Sequence, residues 1–492
     1  PLGRKAVFAK ARKTVLAITG GHYPAQLAAL EAVEHGLQYG LVAGLEHEAA
    51  HFSELALGDV SKNLVQIFFA GTALKKDRGV AGDQPEPRSI ANIAIVGAGF
   101  MGSAIAGVAV THAAVDVRLR DTDLKRVAKG VDGAREHLRS RLRKNRISKY
   151  EYRRLESLLS GGMDWAGFKR ADLVVEAVPE DLELKLRVLD ELELNVDQDC
   201  IIASNTSTIP ISRIAEAVQN PQRVVGMHFF SPAEKMPLVE VVAHGQTAPW
   251  VVATVASFGR AMNKTVLVVK DSPGFWVNRI LAPYLREAWL LLEEGVEAEV
   301  LDSAMTEFGF PVGPVTLLDE IGLDVVQESS TALHKAFGQR MQPLPGVSRM
   351  VNEGRLGRKS GRGLFQYRRG KKHRFDASAY ELIGVREGPP IPAEDITSRL
   401  VFSMLNEAAR ALDEGVVRSP RDGDLGAIYG VGFPPFRGGP LRYLDQLGVA
   451  DAYATLVDLS ERYGDRFTAT PSLVQMAKGN DCFFKPRSST EH

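Results

Sequence analysis

The feature that most constrains the fold is a glycine-rich turn between a short apolar run and a segment with helical spacing. The run NIAIV, residues 92–96, leads directly into GAGFMG, residues 97–102. In such a turn the first glycine allows a tight bend, the second lets a pyrophosphate approach the backbone, and the third lets the helix pack closely on the strand. The free N–H groups at the start of the helix favour phosphate. The sequence therefore predicts a dinucleotide-binding β–α unit, and the alternative is a tight turn without a ligand.

An acidic residue indicates which dinucleotide this unit binds. Asp121 ends the next strand-like run, VDVRLRD, at the roughly 20-residue distance that is typical of a ribose-binding carboxylate. Its charge would repel a 2′-phosphate, which favours NAD over NADP. Arg118, Arg120 and Lys125 are close enough in the sequence to weaken that repulsion. We expect cofactor contacts from the turn and this strand end, namely from Gly97, Gly99, Met101, Gly102 and Asp121.

Hydrophobic periodicity divides the chain into a helical start, an α/β middle and a helical remainder. Residues 1–75 alternate apolar and charged positions at helical spacing, and the polar linker KKDRGVAGDQPEPRS follows. From Asn92, short β-rich runs alternate with helical segments, which implies a mostly parallel sheet covered on both faces. After Gly274 the helical periodicity continues to the C-terminus. The expected fold class is a helical appendage with its linker (1–88), an α/β Rossmann-type domain (89–273), and two all-α domains (274–372 and 396–492) joined by a connector (373–395).

The helical remainder repeats itself. The segment RILAPYLREAWLLLEEGVEAEVLDSA begins at Arg279, and a similar segment begins 120 residues later at Arg399. The similarity resumes after a small insertion, where FGFPVGPVTLLDEIG resembles YGVGFPPFRGGPLRYLDQLG. Shared Gly-Phe-Pro and Leu-Asp positions argue against a chance likeness of amphipathic helices, so we expect two copies of one module. The constant offset pairs Glu287 with Glu407, Gly295 with Gly415, and Asp302 with Asp422.

Composition excludes several classes of function. Lys plus Arg and Asp plus Glu both number 60, so no global positive field recruits nucleic acid. No run approaches the roughly 20 apolar residues of a transmembrane helix, so no transmembrane segment is expected. The two cysteines, Cys200 and Cys482, exclude a disulfide framework and a zinc cluster of the CxxC type, which fits a reducing compartment. The chain begins with Pro1 and shows no secretory signal, so we expect its start to be a cut within a longer polypeptide.

A histidine and a glutamate on neighbouring strand-like runs are the candidate catalytic pair. RVVGMHFFSP places His228 near the carboxyl edge of the sheet, where α/β proteins bind ligands, and MPLVEVV carries Glu240. A carboxylate that fixes the tautomer of an imidazole makes it a general base. Sequence spacing alone does not place the two side chains in contact, and a satisfied structural pair is the alternative interpretation.

Several longer motifs resemble one protein family. SNTSTIPI, MHFFSPAEKMPLVEVV, DSPGFWVNRIL, FGFPVGP, GRKSGRGLFQY and GFPPFRGGPLRYLD together resemble the L-3-hydroxyacyl-CoA dehydrogenases. The resemblance is greatest to the α-subunits of multifunctional fatty acid oxidation complexes, in their anaerobic bacterial and mitochondrial trifunctional branches. It runs over essentially the whole chain, and the motifs keep their order.

The resemblance implies a reaction and four catalytic residues. In the implied reaction, His228 removes the proton of the 3-hydroxyl of a 3-hydroxyacyl-CoA while C3 passes hydride to NAD. The resemblance implies that Glu240 orients His228. Ser207 resembles a serine that touches both substrate hydroxyl and nicotinamide, and Asn278 resembles an asparagine near the substrate carbonyl. Without the family, a loop-capping serine and an asparagine at a helix start would be the ordinary interpretations.

Further binding residues follow from the same resemblance. Four residues of EAVPEDLELK match a loop over the cofactor: Val178, Pro179, Glu180 and Lys185. Ser231 stands where simpler dehydrogenases have Asn, and Ser is usual in the branch named above. Lys144, in a basic helix, matches a ligand of the CoA phosphates, and Tyr429 matches a substrate contact. The alternative interpretation of Lys144 is a residue on a solvated helix face, and that of Tyr429 is an aromatic residue of the core.

The resemblance also implies a preceding domain, a partner subunit and a cellular location. In the family a crotonase-like enoyl-CoA hydratase domain precedes the dehydrogenase, and residues 1–88 resemble only its tail and linker, so we expect no hydratase activity here. A thiolase β-subunit is the implied partner of the full-length protein. The implied location is the bacterial cytosol, or the mitochondrial matrix in a eukaryote. The alternative functions are a 3-hydroxybutyryl-CoA dehydrogenase that works reductively and a catalytically silent NAD-binding scaffold.

Overall fold

The computed structural model describes residues 2–80, 82, 85–386 and 388–484. Parts of the expected linker, connector and C-terminal domain (residues 81, 83, 84, 387 and 485–492) lie outside the described residues. The described chain begins with an all-helical region, whose helices α2 and α3 pack so closely that a Cβ atom on Gly44 would stand 2.6 Å from the Cα of Gly36. This region comprises α1 (Leu2–Thr19), α2 (Pro24–Tyr39), α3 (Leu41–Leu57) and α4 (Asp59–Lys76).

An eight-stranded sheet follows, with the strand order 3-2-1-4-5-6-7-8. Neighbouring strands are parallel except for β6 and β7, which are antiparallel, so β7 and β8 run against the other six. The expectation of a mostly parallel sheet is confirmed. The strands are β1 (Asn92–Val96), β2 (Asp116–Arg120), β3 (Leu159–Gly162), β4 (Leu173–Glu176), β5 (Ile201–Ser204), β6 (Val224–Phe229), β7 (Leu238–Ala243) and β8 (Thr265–Lys270).

Both faces of the sheet are buried, because successive side chains of a strand point to opposite faces. Ile95 and Val175 belong to one apolar core, whereas their neighbours Val96 and Val174 belong to the other. This explains why the strands read as continuous apolar runs. The helices of this domain are α5 (Phe100–Val108, continued by a π-helical turn at Ala109–Ala113), α6 (Leu124–Arg143), α7 (Lys149–Glu156), α8 (Leu182–Glu193), α9 (Ile211–Ala215) and α10 (Pro249–Ala261).

The rest of the described chain is mainly helical and contains two similar modules. The first comprises α11 (Val277–Glu293), α12 (Ala298–Phe308), α13 (Pro314–Ile321), α14 (Leu323–Phe337) and α15 (Pro345–Asn352). Strands β9 (Phe365–Arg368) and β10 (Lys371–Phe375) and helix α16 (Ala379–Ile383) follow. The second module comprises α17 (Ala393–Asp413), α18 (Pro420–Gly430), α19 (Pro440–Leu447), α20 (Val449–Tyr463) and α21 (Pro471–Gly479).

Reciprocal ion pairs confirm the repeat that the sequence predicts. Arg279 of α11 donates to Glu407 of α17, Nε to Oε1 at 2.9 Å. The residues that match these two by sequence exchange roles, because Arg399 of α17 donates to Glu287 of α11 at 2.7 Å. Each module therefore presents the same arginine and glutamate to the other, as two related copies do about a pseudo-two-fold axis.

The structure corrects the sequence alignment beyond the first helix of each repeat. Helix α12 begins at Ala298 and α18 at Pro420, so the offset is no longer 120 residues there. Asp302 accepts backbone bonds from the start of α13, and Asp424 accepts the matching bonds from the start of α19. The predicted pairing of Asp302 with Asp422 is therefore wrong, and the counterpart of Asp302 is Asp424.

Three strands were also missed: β3, β9 and β10. Strands β9 and β10 form an antiparallel hairpin that turns at Arg369 and Gly370, both with positive φ, and β10 extends into the first residues of the expected connector (373–395). No apolar alternation marks β10, because four consecutive residues of this strand, KKHR, are exposed. Strand β3 has the sequence LSGG, which offers no apolar run, and it pairs only at the edge of the sheet beside β2. Among the described helices, none has the length and apolar character needed to cross a membrane.

Candidate active site

Most of the predicted site residues lie at the carboxyl edge of the sheet. Strand order reverses between β1 and β4, because the chain proceeds outward from β1 to β2 and β3 and then returns to β4 on the other side. Open α/β sheets bind ligands in the crevice that this reversal creates. The glycine turn follows β1, residues 177–180 follow β4, and residues 205–208 follow β5, so all three border the crevice.

The geometry of the glycine turn fits a pyrophosphate. Gly97 has φ of +102°, and a Cβ atom there would lie 2.5 Å from the carbonyl oxygen of Ala177. A Cβ atom on Gly102 would overlap the carbonyl oxygen of Gly97, so helix and strand can meet this closely only at glycine. At Gly99 no heavy atom of the described chain, its immediate neighbours apart, lies within 4 Å of such a Cβ. The middle glycine therefore leaves its side of the turn open at the N-terminus of α5, where phosphate binds favourably.

Asp121 lies beside this turn. Its Oδ2 accepts the backbone N–H of Ala98 at 2.9 Å, and its Oδ1 accepts that of Thr122 at 2.8 Å. The carboxylate is thereby fixed next to the glycine turn while its side chain stays 13% exposed. Arg126 is the nearby cation, with Nη1 4.0 Å from Oδ1.

The arginines that could have softened the charge of Asp121 are engaged elsewhere. Arg118 pairs with Asp164 at 2.7 Å. The guanidinium of Arg120 stacks over the ring of Trp165, 3.7 Å from its centroid. Asp121 thus keeps the carboxylate character that favours ribose hydroxyls over a 2′-phosphate.

His228 and Glu240 are direct partners in the antiparallel pair β6–β7. Directly opposed residues point to the same face, so the two side chains meet. The distance from His228 Nδ1 to Glu240 Oε2 is 2.7 Å, and both residues are buried. The other oxygen, Oε1, accepts the backbone N–H groups of Trp276 at 3.1 Å and Val277 at 3.0 Å, at the start of α11. The start of α11 therefore holds this oxygen of the carboxylate in place.

The histidine ring is held in place on its sides as well. The ring of Phe230 lies 4.4 Å away between centroids, and that of Phe275 lies 5.6 Å away. Because Nδ1 donates to Glu240, the lone pair of the neutral imidazole is on Nε2. The arrangement is that of a general base with a fixed tautomer and orientation.

Asn278 and Ser207 connect the helical module to the loop after β5. Asn278 Nδ2 donates to the carbonyl oxygen of Ser207 at 3.2 Å. The N–H of Ser207 donates to Glu180 Oε1 at 2.8 Å, and its hydroxyl donates to the same oxygen at 3.1 Å. Three residues predicted separately, Ser207, Asn278 and Glu180, are therefore in one hydrogen-bond network.

The network continues into a buried glutamate that the sequence analysis missed. Lys185 lies between two carboxylates: its Nζ is 2.8 Å from Glu176 Oε1 and 3.4 Å from Glu180 Oε2. It also donates to the carbonyl oxygen of Val178 at 3.2 Å. Glu176 further accepts the hydroxyl of Ser204 at 2.6 Å. A glutamate that ends an apolar strand at the ligand edge, in DLVVEAV, was the available signal.

The pKa of Glu180 shows which form its surroundings favour. Burial acts to raise this pKa, but the charge of Lys185 and hydrogen bonds from Thr206, Ser207 and Thr208 outweigh burial and lower it. Glu180 is therefore an anion at neutral pH.

Three predicted contacts lie apart from this network. Ser231 is exposed just after β6, and Lys144 is exposed at the C-terminus of α6. Tyr429 is half-buried and packs in a small cluster with Ala70 and Leu74 of α4, the environment of a core aromatic. Their contacts with substrate or cofactor stay predictions.

A Rossmann-type domain with an open glycine turn, a carboxylate beside that turn and a carboxylate-held histidine is the arrangement of an NAD-dependent dehydrogenase. Comparison with known families agrees. The model of the NAD-binding domain of 3-hydroxyacyl-CoA dehydrogenase matches residues 92–272, and the model of its C-terminal domain matches residues 274–367 and again 396–483. The chain belongs to the 3-hydroxyacyl-CoA dehydrogenase family, and the predictions of fold class, enzyme class and NAD are confirmed.

Curated relatives extend this similarity to the whole chain. A fatty acid oxidation complex subunit alpha from Shewanella loihica is 43% identical over 497 residues, which cover 99% of this chain and 69% of the relative. A protein of the same name from Vibrio vulnificus is 44% identical over 480 residues, covering 97% of this chain and 67% of that one.

Solved structures agree with the fold. A crystal structure of 3-hydroxybutyryl-CoA dehydrogenase from Escherichia coli is 29% identical, covers 80% of this chain and 99% of its own, and has a TM-score of 0.71. An (S)-3-hydroxybutyryl-CoA dehydrogenase from Ralstonia eutropha is 35% identical, covers 57% of this chain and 100% of its own, and has a TM-score of 0.55.

Proposed function

We propose that His228 is the catalytic base, and Glu240 its positioning residue, in the oxidation of (S)-3-hydroxyacyl-CoA to 3-ketoacyl-CoA with NAD. The observation that carries the proposal is the 2.7 Å bond between His228 Nδ1 and Glu240 Oε2. Two backbone N–H groups hold the other oxygen of Glu240. A carboxylate fixed in this way holds Nδ1 as a donor and leaves Nε2 as the proton acceptor.

The reaction balances around this nitrogen. The proton of the substrate 3-hydroxyl passes to His228 Nε2, the C3–O bond becomes a carbonyl, and the C3 hydrogen leaves with its electron pair. NAD, when bound, accepts that hydride. Glu240 stabilises the imidazolium as it forms, because its anion lies on the opposite side of the ring. In the reverse direction His228 returns the proton to the alkoxide.

The remaining residues are proposed to bind and orient. We propose that Ser207 contacts the substrate hydroxyl and the nicotinamide, and that Asn278, which donates to the carbonyl oxygen of Ser207, contacts the thioester region. The turn residues Gly97, Gly99, Met101 and Gly102, with Asp121, are proposed to hold the pyrophosphate and adenosine ribose. The proposed further contacts are Val178, Pro179, Glu180, Lys185 and Ser231 for the cofactor, and Lys144 and Tyr429 for the acyl-CoA.

A short-chain substrate is the second candidate. It is favoured by the similarity to crystal structures described as 3-hydroxybutyryl-CoA dehydrogenases. In that case the chain would act on four-carbon acyl groups and would reduce the 3-ketoacyl-CoA with NADH. A silent NAD-binding scaffold is disfavoured, because such a protein has no need for a histidine held by a buried glutamate.

The setting proposed for this activity is fatty acid β-oxidation in a bacterial cytosol. Its support is the name that the bacterial relatives share, fatty acid oxidation complex subunit alpha. That name also supports a second subunit as partner, for which we propose a thiolase. The proposal for this chain is confined to the dehydrogenase step, because the described residues provide its base and its dinucleotide site.

One assay tests the proposal. The protein is mixed with acetoacetyl-CoA and NADH, and the loss of NADH absorbance is followed for the parent and for His228→Gln. We expect turnover in the parent and a loss of at least 10²-fold in the variant, since a positioned general base contributes about 10²–10⁴-fold. His244→Gln is the matched control, because His244 is another buried histidine whose ring bonds to the carbonyl oxygen of Pro221.

Each outcome decides something. No turnover in the parent chain contradicts the dehydrogenase, and equal turnover in His228→Gln contradicts the base. Repeating the assay with longer 3-ketoacyl-CoA substrates separates the two candidates. A rate that persists with chain length supports the β-oxidation enzyme, and a rate confined to four carbons supports the short-chain enzyme.

A further inference from the structure

We infer that Glu176, Lys185 and Glu180 form a charge triad that determines how strongly the enzyme distinguishes the oxidised from the reduced cofactor. The triad carries one net negative charge at the edge of the sheet where the nicotinamide half of NAD is expected. The inference rests on the proposed function only for the placement of NAD across the crevice. It adds a role for Glu176, a residue that neither sequence nor family motif identified.

The triad is built from buried, mutually bonded groups. The Lys185 ammonium is 2.8 and 3.0 Å from the two oxygens of Glu176, and 3.4 Å from Glu180 Oε2. Glu176 is 0% and Lys185 1% exposed, whereas Glu180 is 19% exposed. One ammonium cannot neutralise two carboxylates, so a full negative charge remains. Glu180, the most exposed of the three residues, lies in the segment after β4 that borders the crevice.

The hydrogen-bond donors around Glu180 keep this charge in place. Its Oε1 accepts the hydroxyls of Thr206 at 2.7 Å and Thr208 at 3.1 Å, together with the N–H and hydroxyl groups of Ser207. These donors are neutral dipoles, so they fix the carboxylate and favour its anion without cancelling the charge. The same oxygen therefore organises the loop that carries Ser207.

The path of the dinucleotide puts the nicotinamide near this charge. Asp121 follows β2 and marks the adenosine ribose, and the glycine turn after β1 marks the pyrophosphate. The second nucleotide must continue away from β2, over β4 and β5. Glu180 follows β4 and Ser207 follows β5, and the proton acceptor His228 lies on β6 beyond them. The reacting ring has to reach His228 through this space.

The nicotinamide ring carries a positive charge when oxidised and is neutral when reduced. A fixed negative charge nearby therefore stabilises the bound oxidised form and leaves the reduced form almost unaffected. With an effective dielectric constant of about 20, a unit charge at about 8 Å changes a binding constant by roughly tenfold to thirtyfold. A triad that is only structural would instead affect both forms equally.

The test compares the dissociation constants of NAD⁺ and NADH, measured by fluorescence titration in the absence of acyl-CoA. Glu176→Gln and Glu180→Gln each make the triad neutral and keep an acceptor oxygen at the site. We expect the ratio of the NAD⁺ constant to the NADH constant to rise about tenfold in both. The double variant Glu176→Gln with Lys185→Met removes one charge of each sign and restores a net charge of −1, so its ratio should return to the parental value.

A carboxylate farther along the same helix gives the matched control. Glu193 ends α8, pairs with Arg223 at 2.8 Å, and is eight residues, or about 12 Å, from Lys185. Glu193→Gln should leave the ratio unchanged. The inference is overturned if the Glu176 and Glu180 variants bind NAD⁺ and NADH more weakly by the same factor. It is also overturned if the ratio of the double variant stays as high as that of the single glutamine variants.

The result is separable from the proposed function. His228→Gln should lower turnover by at least about 10²-fold and leave the ratio at its parental value. A parent that binds both cofactors but does not reduce acetoacetyl-CoA would contradict the catalytic proposal while the ratio could still be measured. Thermal melting of each variant identifies one that fails to fold, and the other glutamine variant then decides.

Discussion

Arg279 of the first helical module donates from Nε to Oε1 of Glu407 in the second, at 2.9 Å, and both side chains are buried. The same arginine reaches Glu414 at 2.6 Å. The reciprocal pair is also present, because Arg399 of the second module pairs with Glu287 of the first. The two modules are thus held by buried charges that each supplies to the other.

Glu407→Gln should therefore destabilise the protein substantially. Glu407→Gln leaves the buried Arg279 with Glu414 as its counter-charge, and because the Glu414 side chain is 42% exposed, the compensation is incomplete and costs on the order of 2 kcal/mol. We expect a loss near that size in the free energy of unfolding, measured by urea denaturation. Glu287→Gln should lose a similar amount, because it is the equivalent residue of the other module. Arg358→Gln, which breaks an exposed pair with Glu320, should change stability by less than about 1 kcal/mol.

Glu240→Gln should slow catalysis with little effect on cofactor binding. An amide in this place can still accept the N–H groups at the start of α11 through its oxygen, but its NH₂ then faces His228 Nδ1. The ring must accept there, so Nε2 carries the proton and cannot take another. We expect kcat to fall by about 10²–10⁴-fold in steady-state assays with acetoacetyl-CoA, while the dissociation constant of NADH stays within about twofold. A kcat near the parental value would show that Glu240 does not fix the tautomer.

Asp121→Ser should shift cofactor preference toward NADP. The variant removes the charge that repels a 2′-phosphate, and Arg126, 4.0 Å from the carboxylate, becomes available to the phosphate. We expect the ratio of kcat/KM for NADP to that for NAD to rise at least tenfold. Asp123→Asn is the control, because Asp123 caps α6 through the N–H groups of Lys125 and Arg126 and should leave the ratio unchanged. No shift in Asp121→Ser would contradict the assignment of the ribose carboxylate.

Gly99→Ala should separate cofactor binding from folding. Its φ of −71° suits alanine, and the space around its Cβ position is open. The melting temperature should therefore stay within about 2 °C of the parent, whereas NAD should bind at least tenfold more weakly because the methyl group occupies the approach of the pyrophosphate. Gly97→Ala should instead lower stability, since its backbone has φ of +102° and its Cβ would meet Ala177. Unchanged NAD affinity in Gly99→Ala would contradict the proposed position of the pyrophosphate beside Gly99.

The sequence was informative where one local rule decided the structure. The glycine turn could be predicted because its spacing requires both a bend and a close approach, and a Cβ at Gly102 would indeed overlap Gly97. The repeat could be predicted because both modules retain Arg279 and Arg399 at matching positions. The contact of His228 with Glu240 needed the family resemblance, since spacing does not give the register of two strands.

The remaining features depend on tertiary packing. Nothing local indicates that Lys185 is buried, because a lysine in the first turns of a charged helix is ordinarily solvated. Its burial follows from Glu176, which reaches it from the end of β4. Strand β3 and the hairpin β9–β10 were missed for a related reason: LSGG and the basic hairpin gain their strand structure from partners rather than from apolar alternation.

Asp319 should make stability fall as the pH rises through about 6. Burial raises the pKa of Asp319 to about 6, although hydrogen bonds from the N–H groups of Phe365 and Leu364 act to lower it. The usual pKa of an unfolded aspartate is about 3.9, so the folded chain binds this proton more tightly. The stabilisation is fully present below about pH 4 and is lost as the pH rises through about 6.

The comparison of the parent with Asp319→Asn isolates this effect. The free energy of unfolding of the parent, relative to the variant, should fall by on the order of 2 kcal/mol between pH 4 and pH 7, measured by urea denaturation at each pH. The comparison of the parent with Asp376→Asn should give a slope of the opposite sign, mainly below about pH 4. Burial acts to raise the pKa of Asp376, but hydrogen bonds from Arg362 and Ser378 outweigh it and lower the pKa, so its stabilisation is lost as the pH falls. Slopes of the same sign in the two comparisons would contradict the proposed protonation of Asp319.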